Sequence, residues 1–519
     1  MRKIIQSEWF LLAGIFLLGA FLRFWQIGAW QYLNFDQARD YLIVKRIVID
    51  HKLTLLGPTV LLPGIYLPPF YYYSLVFPLL LSGFHAIGPD IYTAVLGTLA
   101  IGIFYFLAKD LFGKVPALIT SLFFALNPYL IHASRHAWNP NTVYLFTLFF
   151  ALCFERYWLK RDWRYLGGAA FSLGWALNLH YPAVVFLPLF IILLIKSFQR
   201  GEKRAALFSV FIFSFFFSPL LVFEVRHNFT ISKAIWAFIS GHLGKTESLS
   251  VKFFHFLADP MKLPGIFLSG AHQEVNLTID PTHLSLFDEI NLFKNISFFE
   301  KLKEAIYLAI YAFSFLSLFS FGWKNKRKES FLIVVFLFFG FAIRLIFPSS
   351  SLFFYHYTYL FPFLFLPIGC FIFYLTTQKK LVWKLAILSF VFLAILPLLP
   401  EGLKGKIKKE NYYLSASKVI AQNIQPGEKI AIAVNVYPFH WYRHGPEYRY
   451  FLETFYHLPM GDNTVEDFQS ADVLFLVDEG NLTNPLDFGG VEMESFAPKK
   501  VAESWVAPEG QKIYKLLRK

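Results

Sequence analysis

Apolar blocks of about 16 to 24 residues recur along the chain, and each has the length that a helix needs to cross a bilayer. Of the 519 residues, 56% are hydrophobic and 64 are phenylalanine, which is more apolar sequence than a soluble domain carries. The blocks therefore predict a mainly α-helical, polytopic membrane protein and exclude a soluble globular one.

The blocks predict a bundle of about eleven transmembrane helices. Their approximate limits are 8–27, 91–109, 115–132, 141–158, 165–180, 182–196, 205–223, 303–322, 330–347, 352–376 and 381–399. Two longer loops interrupt the series, at 28–90 and 224–302. The only cysteines, Cys153 and Cys370, lie inside apolar blocks, so we expect free thiols and no disulfide.

The net charge of +13 is explained by short basic loops between spans rather than by nucleic-acid binding. These loops lie at 109–114, 156–164, 196–204, 324–328 and 379–380. If Arg2 and Lys3 are cytoplasmic, all of them fall on the cytoplasmic side, as the positive-inside rule requires. The pattern predicts a multi-pass protein of the plasma (inner) membrane with a cytoplasmic N-terminus and an extracytoplasmic C-terminus.

The first outer loop, 28–90, begins with a predicted amphipathic helix. Asp36, Arg39 and Asp40 are spaced i, i+3 and i+4, which places them on one helix face. Apolar residues from Leu42 to Val48 predict that this helix lies along the membrane surface. A second apolar stretch follows at 70–87 and is too interrupted to span, so we expect two interfacial helices. A simpler role for Asp36, or for Asn34, is to cap the first helix.

Residues 1–400 are predicted to form the transmembrane domain, and residues 401–519 a small extracytoplasmic α/β domain. Helical spacing occurs at 411–423 and 448–456, and strand patterns at 429–434, 471–477, 500–506 and 511–517.

Candidate functional residues concentrate on the predicted extracytoplasmic face of the membrane. They are Asp36, Arg39, Asp40, Tyr66, Tyr71, Arg135, His136, Trp138, Asn139, His180, Arg226, His227, Tyr355 and His356. Individually, Arg135 could snorkel to the interface, His180 could end a helix, and the tyrosines could form an aromatic belt. Those readings do not explain why the residues favour one face.

A carboxylate among arginine and histidine side chains suits transfer of a sugar from a lipid phosphate. The carboxylate takes the acceptor proton as general base, and a guanidinium stabilises the departing phosphate. A single displacement of this kind inverts the anomeric centre. Basic side chains suffice for a phosphate leaving group, and no metal motif such as His-Glu-x-x-His occurs. No cofactor is required, although the sequence leaves a divalent metal open.

The chain resembles C-type (GT-C) glycosyltransferases of the protein O-mannosyltransferase and aminoarabinose transferase group. The resemblance rests on short motifs and on the long first loop and C-terminal domain. The motifs are Phe35-Asp-Gln-Ala-Arg-Asp40, Leu67-Pro-Pro-Phe-Tyr-Tyr72, Ser134-Arg-His-Ala-Trp-Asn-Pro-Asn141 and Gly174-Trp-Ala-Leu-Asn-Leu-His-Tyr-Pro182.

The resemblance implies that Asp36 is the catalytic base and that Arg135 and His136 lie near the donor phosphate. It also implies a polyprenyl-phosphate sugar as donor and a protein, lipid or glycan as acceptor. The chain departs from the group at Gln37, where many relatives have a second acidic residue, and at Leu67, where a polar residue is expected.

Two other functions remain open. A polymerase or ligase of lipid-linked glycans would also use arginine and histidine on the outer face, but usually without an essential aspartate in the first loop. A transporter or flippase would need ionisable residues near the middle of its spans. Apart from residues at their ends, the predicted spans contain only Arg23 and Arg344.

Overall fold

The computed structural model describes most of the chain. The described residues are 2–29, 31, 33–60, 64–240, 248–270, 298–324, 328–347, 352, 354–377, 380–395, 410–435, 445–461, 464–480, 482–497 and 499–519. The predicted span end at 396–399, part of the basic loop at 324–328 and residues 271–297 of the longer loop lie outside them.

The chain divides into two compact units. The first comprises residues 1–25, 55–71 and 90–404, and the second comprises 26–54, 72–89 and 405–519. The second unit therefore combines the C-terminal segment with two pieces of the first loop.

Helices dominate the first unit. In chain order they are α1 (Arg2–Phe24), α4 (Ile87–Phe112, whose first residues belong to the second unit), α5 (Lys114–Leu126), α6 (Pro128–Ala133), α7 (Val143–Lys160), α8 (Arg164–Leu179), α9 (Leu187–Gln199), α10 (Lys203–Phe215), α11 (Ser218–Arg226), α12 (Thr230–Ile239), α13 (Leu249–Ser269), α14 (Phe298–Lys324), α15 (Lys328–Phe341), α16 (Ile343–Ile346), α17 (Leu366–Thr376) and α18 (Lys380–Ile395).

Within the described residues, six helical segments are long and apolar enough to cross a membrane. They cover 8–29, 87–112, 139–160, 181–199, 301–319 and 328–346. A seventh span would combine α10 and α11, which are bent by 59° at the break between them. A multi-pass membrane protein is therefore confirmed, whereas the predicted number of about eleven spans is not.

Several predicted spans are not continuous α-helices. The span at 115–132 breaks at Asn127, whose side chain accepts a hydrogen bond from the Leu130 amide and starts α6 with Pro128 at its first position. The span at 352–376 begins with 3-10 turns at Phe354–Tyr357 and Phe361–Phe365, and only α17 is α-helical. Hydropathy averages over such breaks and does not detect them.

The longer loop at 224–302 contains helices that we did not predict. Glu224 is buried, and its carboxylate accepts hydrogen bonds from the amides of Ile231 and Ser232 in the first turn of α12. The next helix, α13, continues through Pro260 and Pro264.

The second unit contains a four-stranded sheet flanked by helices. Its elements are α2 (Phe35–Val48), most of α3 (Phe70–Leu81), α19 (Glu410–Gln422), β1 (Ile430–Asn435), α20 (Pro446–Phe455), α21 (Val465–Ser470), β2 (Val473–Asp478), α22 (Val491–Ser495), β3 (Lys499–Val506) and β4 (Lys512–Arg518).

The strand order is β1-β2-β4-β3, with β1 and β2 parallel and the other pairs antiparallel. Every residue of β1 and β2 is buried, as expected for strands covered on both faces. The helices and strands predicted after residue 410 are confirmed to within a few residues.

Helix α2 packs against α20 of the same unit. Ala38, Tyr41 and Val44 are buried on α2, and the Tyr41 ring meets Tyr450 of α20 edge-on at 5.8 Å. The predicted interfacial position of α2 and α3 stays a prediction.

Candidate functional site

The N-terminus of α2 is closed by a capping box. The Asn34 side chain accepts a hydrogen bond from the Gln37 amide, and the Gln37 side chain accepts one from the Asn34 amide, both at 3.1 Å. Asn34 is therefore the cap, and Asp36 is not needed for that role. The capping box also gives a structural role to Gln37, where the resemblance led us to expect a second acidic residue.

Asp36, Arg39 and Asp40 form one cluster, as their spacing predicts. The Arg39 guanidinium lies 3.0 Å from an Asp36 oxygen and 2.8 Å from an Asp40 oxygen, so it bridges the two carboxylates. The Tyr72 hydroxyl donates to the same Asp40 oxygen at 3.1 Å. Tyr72 comes from α3, so two helices of the second unit build this cluster.

The two carboxylates differ in accessibility. The Asp36 side chain is 36% exposed, whereas that of Asp40 is completely buried. Burial raises the pKa of Asp40 to about 6, against the opposing effect of the Arg39 charge and with a smaller contribution from Asp36. Asp36 can meet a substrate, while Asp40 is buried and its Oδ1 atom accepts hydrogen bonds from Arg39 and Tyr72. This placement differs from the substrate contact that we predicted for Asp40.

The first unit brings together four other predicted residues from distant parts of the sequence. The Tyr355 ring centroid lies 4.7 Å from Trp138, 6.2 Å from His180 and 4.2 Å from His356. The rings of His180 and His356 stack at 5.3 Å. The four residues come from three segments of the chain, around 138, 180 and 355, so sequence spacing alone could not show the cluster.

His180 also ends α8, as the simpler reading proposed, because it follows Leu179 and its amide donates to Ala176. His180 is only 6% exposed, and within the described residues its buried Nδ1 atom has no hydrogen-bond partner. Trp138, Tyr355 and His356 are half-buried. The cluster therefore offers three partly accessible stacking surfaces, and the His180 nitrogen lies buried behind them.

The segment that carries Trp138 is held in place by neighbouring polar groups. The Asn139 side chain donates to the Leu179 carbonyl at 2.6 Å. The Tyr71 hydroxyl donates to the Ala137 carbonyl at 3.3 Å, and the Ala137 amide donates to Asp90 at 2.9 Å. Asn139 and Tyr71 thus support this segment.

Arg135 and His136 are both buried. The Arg135 guanidinium donates to the carbonyls of Leu22 and Trp25 at the C-terminal end of α1, the latter at 3.2 Å. Burial, with the neighbouring His132 charge, lowers the pKa of His136 to about 3, so this imidazole is neutral at pH 7. Arg135 therefore stabilises a helix end, and the contact predicted between His136 and a donor phosphate stays a prediction.

The remaining predicted residues lie elsewhere in the first unit. Arg226 and His227 are exposed at the end of α11, where the His227 ring stacks on Phe223 at 4.0 Å. The Tyr66 carbonyl accepts a hydrogen bond from the Tyr181 hydroxyl at 2.5 Å.

A buried ion pair was missed by sequence reasoning. Arg344 donates through Nε to Asp259 at 2.6 Å, both side chains are fully buried, and the Tyr357 hydroxyl donates to the same carboxylate oxygen. Asp259 lies in α13, inside the loop in which no helix was predicted. The sequence feature that could have indicated this pair is an aspartate within a mostly apolar stretch. Among the described residues, no group of three or more His, Cys, Asp or Glu side chains could hold a metal ion.

Comparison with known proteins shows which proteins this chain resembles. Residues 67–223 match the family model for dolichyl-phosphate-mannose-protein mannosyltransferase. ArnT from Cupriavidus metallidurans bound to undecaprenyl phosphate aligns with a TM-score of 0.58 at 12% identity, covering 97% of each chain. The Archaeoglobus fulgidus oligosaccharyltransferase complex with Zn and sulfate aligns with a TM-score of 0.55 at 12% identity, covering 97% of this chain and 72% of that one. No curated protein sequence matches the chain.

The chain has the fold of GT-C membrane glycosyltransferases. The resemblance to the protein O-mannosyltransferase and aminoarabinose transferase group, predicted from its sequence, is confirmed.

Proposed function

We propose that this protein transfers a sugar from a polyprenyl-phosphate donor to a hydroxyl acceptor on the extracytoplasmic face of the plasma (inner) membrane. The observation that carries the proposal is the state of Asp36. Its carboxylate is accessible and is oriented by Arg39. It does not cap the helix, because Asn34 does so. An accessible, oriented carboxylate is what a general base requires.

In the proposed reaction, the acceptor hydroxyl oxygen attacks the anomeric carbon and gives its proton to Asp36. The bond between that carbon and the phosphate oxygen breaks, and polyprenyl phosphate leaves with the bonding electrons. Attack opposite the leaving group inverts the anomeric centre. Arg39 orients Asp36, and Asp40 holds Arg39 while accepting a hydrogen bond from Tyr72, so Asp40 is a positioning residue.

We assign donor binding to the cluster of Trp138, His180, Tyr355 and His356. Binding sites for small molecules combine apolar and aromatic walls with a few polar groups, and this cluster has both. The half-buried rings of Trp138, Tyr355 and His356 can stack on a sugar, and the buried His180 ring packs behind them. The structural neighbour ArnT was solved with undecaprenyl phosphate, which supports a lipid phosphate as the donor class.

The test measures transfer by the purified protein from radiolabelled polyprenyl-phosphate sugars, together with the anomeric configuration of the product. Asp36→Asn should reduce the transfer rate by about 10² to 10⁴ and leave donor binding largely intact. Asp50→Asn is the matched control. This aspartate follows the same helix, pairs with Lys45 at 3.3 Å, and lies away from the Asp36 cluster. Its variant should remain active.

A near-normal rate in Asp36→Asn would overturn the assignment of the base. A product with retained configuration would overturn the single displacement. Transfer from lipid-linked oligosaccharides but not from single-sugar donors would favour the glycan ligase.

A further inference from the structure

A large cavity opens at the basic end of the first unit. It has a volume of about 1400 Å³ and lies among α7, α9, α14 and α15. Most of its lining is apolar, with Trp158, Leu189, Phe331 and Phe339 as examples. Phe331 is 70% exposed, so the cavity is accessible from the surface of the protein rather than sealed.

The charged residues of the lining all lie at one end of these helices. Arg161 follows the last residue of α7, Lys196 and Arg200 lie at the end of α9, and Lys328 is the first residue of α15. No carboxylate lines the cavity, and within the described residues none of the four cations forms an ion pair. Arg200 rests on the Tyr157 ring at 4.9 Å. Among the described residues, this end of the cavity is therefore a cationic site without a carboxylate partner.

The apolar part extends from the cations towards the middle of the bundle. Phe339 lies eleven residues along α15 from Lys328, a rise of about 16 Å. Leu189 lies seven residues before Lys196 on α9, a rise of about 10 Å. Half of a bilayer hydrocarbon core is about 15 Å thick, so the cavity is as deep as one leaflet.

We propose that this cavity binds an acidic glycerophospholipid from the leaflet at the basic end of the bundle, which is the predicted cytoplasmic side. An acyl chain occupies the apolar cleft, and the phosphate lies among Arg161, Lys196, Arg200 and Lys328. Basic pockets between membrane helices are suited to anionic head groups, which supply the missing counterion. The chain of a polyprenyl phosphate is much longer than one leaflet and fits this depth less well.

The test uses the full-length protein, delipidated in detergent and titrated with phosphatidylglycerol or phosphatidylcholine of identical acyl chains. Native mass spectrometry reports the bound fraction. We expect one phosphatidylglycerol per protein, bound about tenfold or more tightly than phosphatidylcholine, because only the former carries net charge. Lys196→Gln with Lys328→Gln should weaken phosphatidylglycerol binding by about tenfold or more, since two of the phosphate contacts are lost.

The matched control is Lys203→Gln with Arg204→Gln, which removes the same charge from exposed residues of α10 outside the cavity. It should bind phosphatidylglycerol within about twofold of the parent, because the cavity cations are retained. Val335→Trp keeps every charge and fills the cleft, so it should also weaken binding.

Equal losses in the control and test variants would reduce the effect to general surface charge and overturn the proposal. Equal affinity for phosphatidylglycerol and phosphatidylcholine would also overturn the proposal. Displacement of phosphatidylglycerol by equimolar undecaprenyl phosphate would assign the cavity to the polyprenyl carrier instead.

Discussion

Arg46 and Glu453 lie 407 positions apart in the chain and form an ion pair of 3.0 Å. Lys45 reaches the same glutamate at 3.6 Å, and Glu453 is only 6% exposed. Arg46 and Lys45 are at the end of α2, the helix that carries Asp36, and Glu453 is in α20. The C-terminal segment thus holds the helix that carries the proposed base.

The first prediction concerns this anchor. Glu453→Gln removes the charge that pairs with Lys45 and Arg46, so α2 should lose its fixed position on α20. Because small displacements of catalytic groups are costly, we expect the transfer rate to fall by about tenfold. The measurement is the rate of sugar transfer together with the melting temperature.

Glu428→Gln provides the comparison for Glu453→Gln. Glu428 pairs with Lys515 at 3.3 Å in the same unit, on elements other than α2. That variant should retain the parent rate. If the two variants lose activity equally, the effect reflects general destabilisation of the unit and not the position of α2.

A second prediction uses the pKa of Asp40, which burial raises to about 6. Below that pH the carboxyl group is neutral and its ion pair with Arg39 is lost, so the transfer rate should fall from pH 7 to pH 5. Over the same pH range, protonation of Asp40 should make the folded protein more stable relative to a variant that lacks this carboxylate. A pKa raised in the folded state means that the native protein binds the proton more tightly, so acidification relieves the cost of a buried charge.

Asp40→Asn is the reference for both measurements. At pH 7 the variant should be about tenfold less active, because Arg39 is no longer held in place. Its transfer rate should not show the decrease near pH 6 that we expect for the parent. The melting temperature of the parent should rise relative to that of the variant as pH falls from 7 to 5. An unchanged acid limb in Asp40→Asn would assign that titration to another group.

Arg135 is the subject of the third prediction. Its guanidinium donates to the carbonyls of Leu22 and Trp25, so Arg135→Lys should destabilise the protein by about 1–3 kcal/mol as charged hydrogen bonds are lost. The donor KM should change little. Arg226→Lys, an exposed substitution, should leave the melting temperature unaltered. A raised KM with normal stability would instead support the predicted contact between Arg135 and the donor phosphate.

The fourth prediction tests the orientation in the membrane. Cys153 and Cys370 are buried, so they should give little background with an impermeant thiol reagent. In intact cells, Val465→Cys should be labelled, because Val465 is 43% exposed in the predicted extracytoplasmic segment. Lys203→Cys, exposed in a predicted cytoplasmic loop, should be protected. The reverse pattern would invert the orientation derived from the basic loops.

Local patterns in the sequence determined the class of protein and its short-range geometry. Apolar block length indicated membrane helices, and the spacing of Asp36, Arg39 and Asp40 placed them within reach of one another. The helices and strands after residue 410 could also be predicted, because hydrophobic periodicity reflects which face of an element is buried. The GT-C resemblance also came from short contiguous motifs.

Tertiary structure decided which of these residues are accessible and what holds them. The sequence left open whether Asp36 or Asn34 caps α2, and the capping box assigns that role to Asn34. The buried Asp259–Arg344 pair and the anchoring of α2 by Glu453 join segments far apart in the chain. Periodicity extends over only a few helical turns, so it carries no information about such contacts. They form because a buried charge must find a partner in the folded protein.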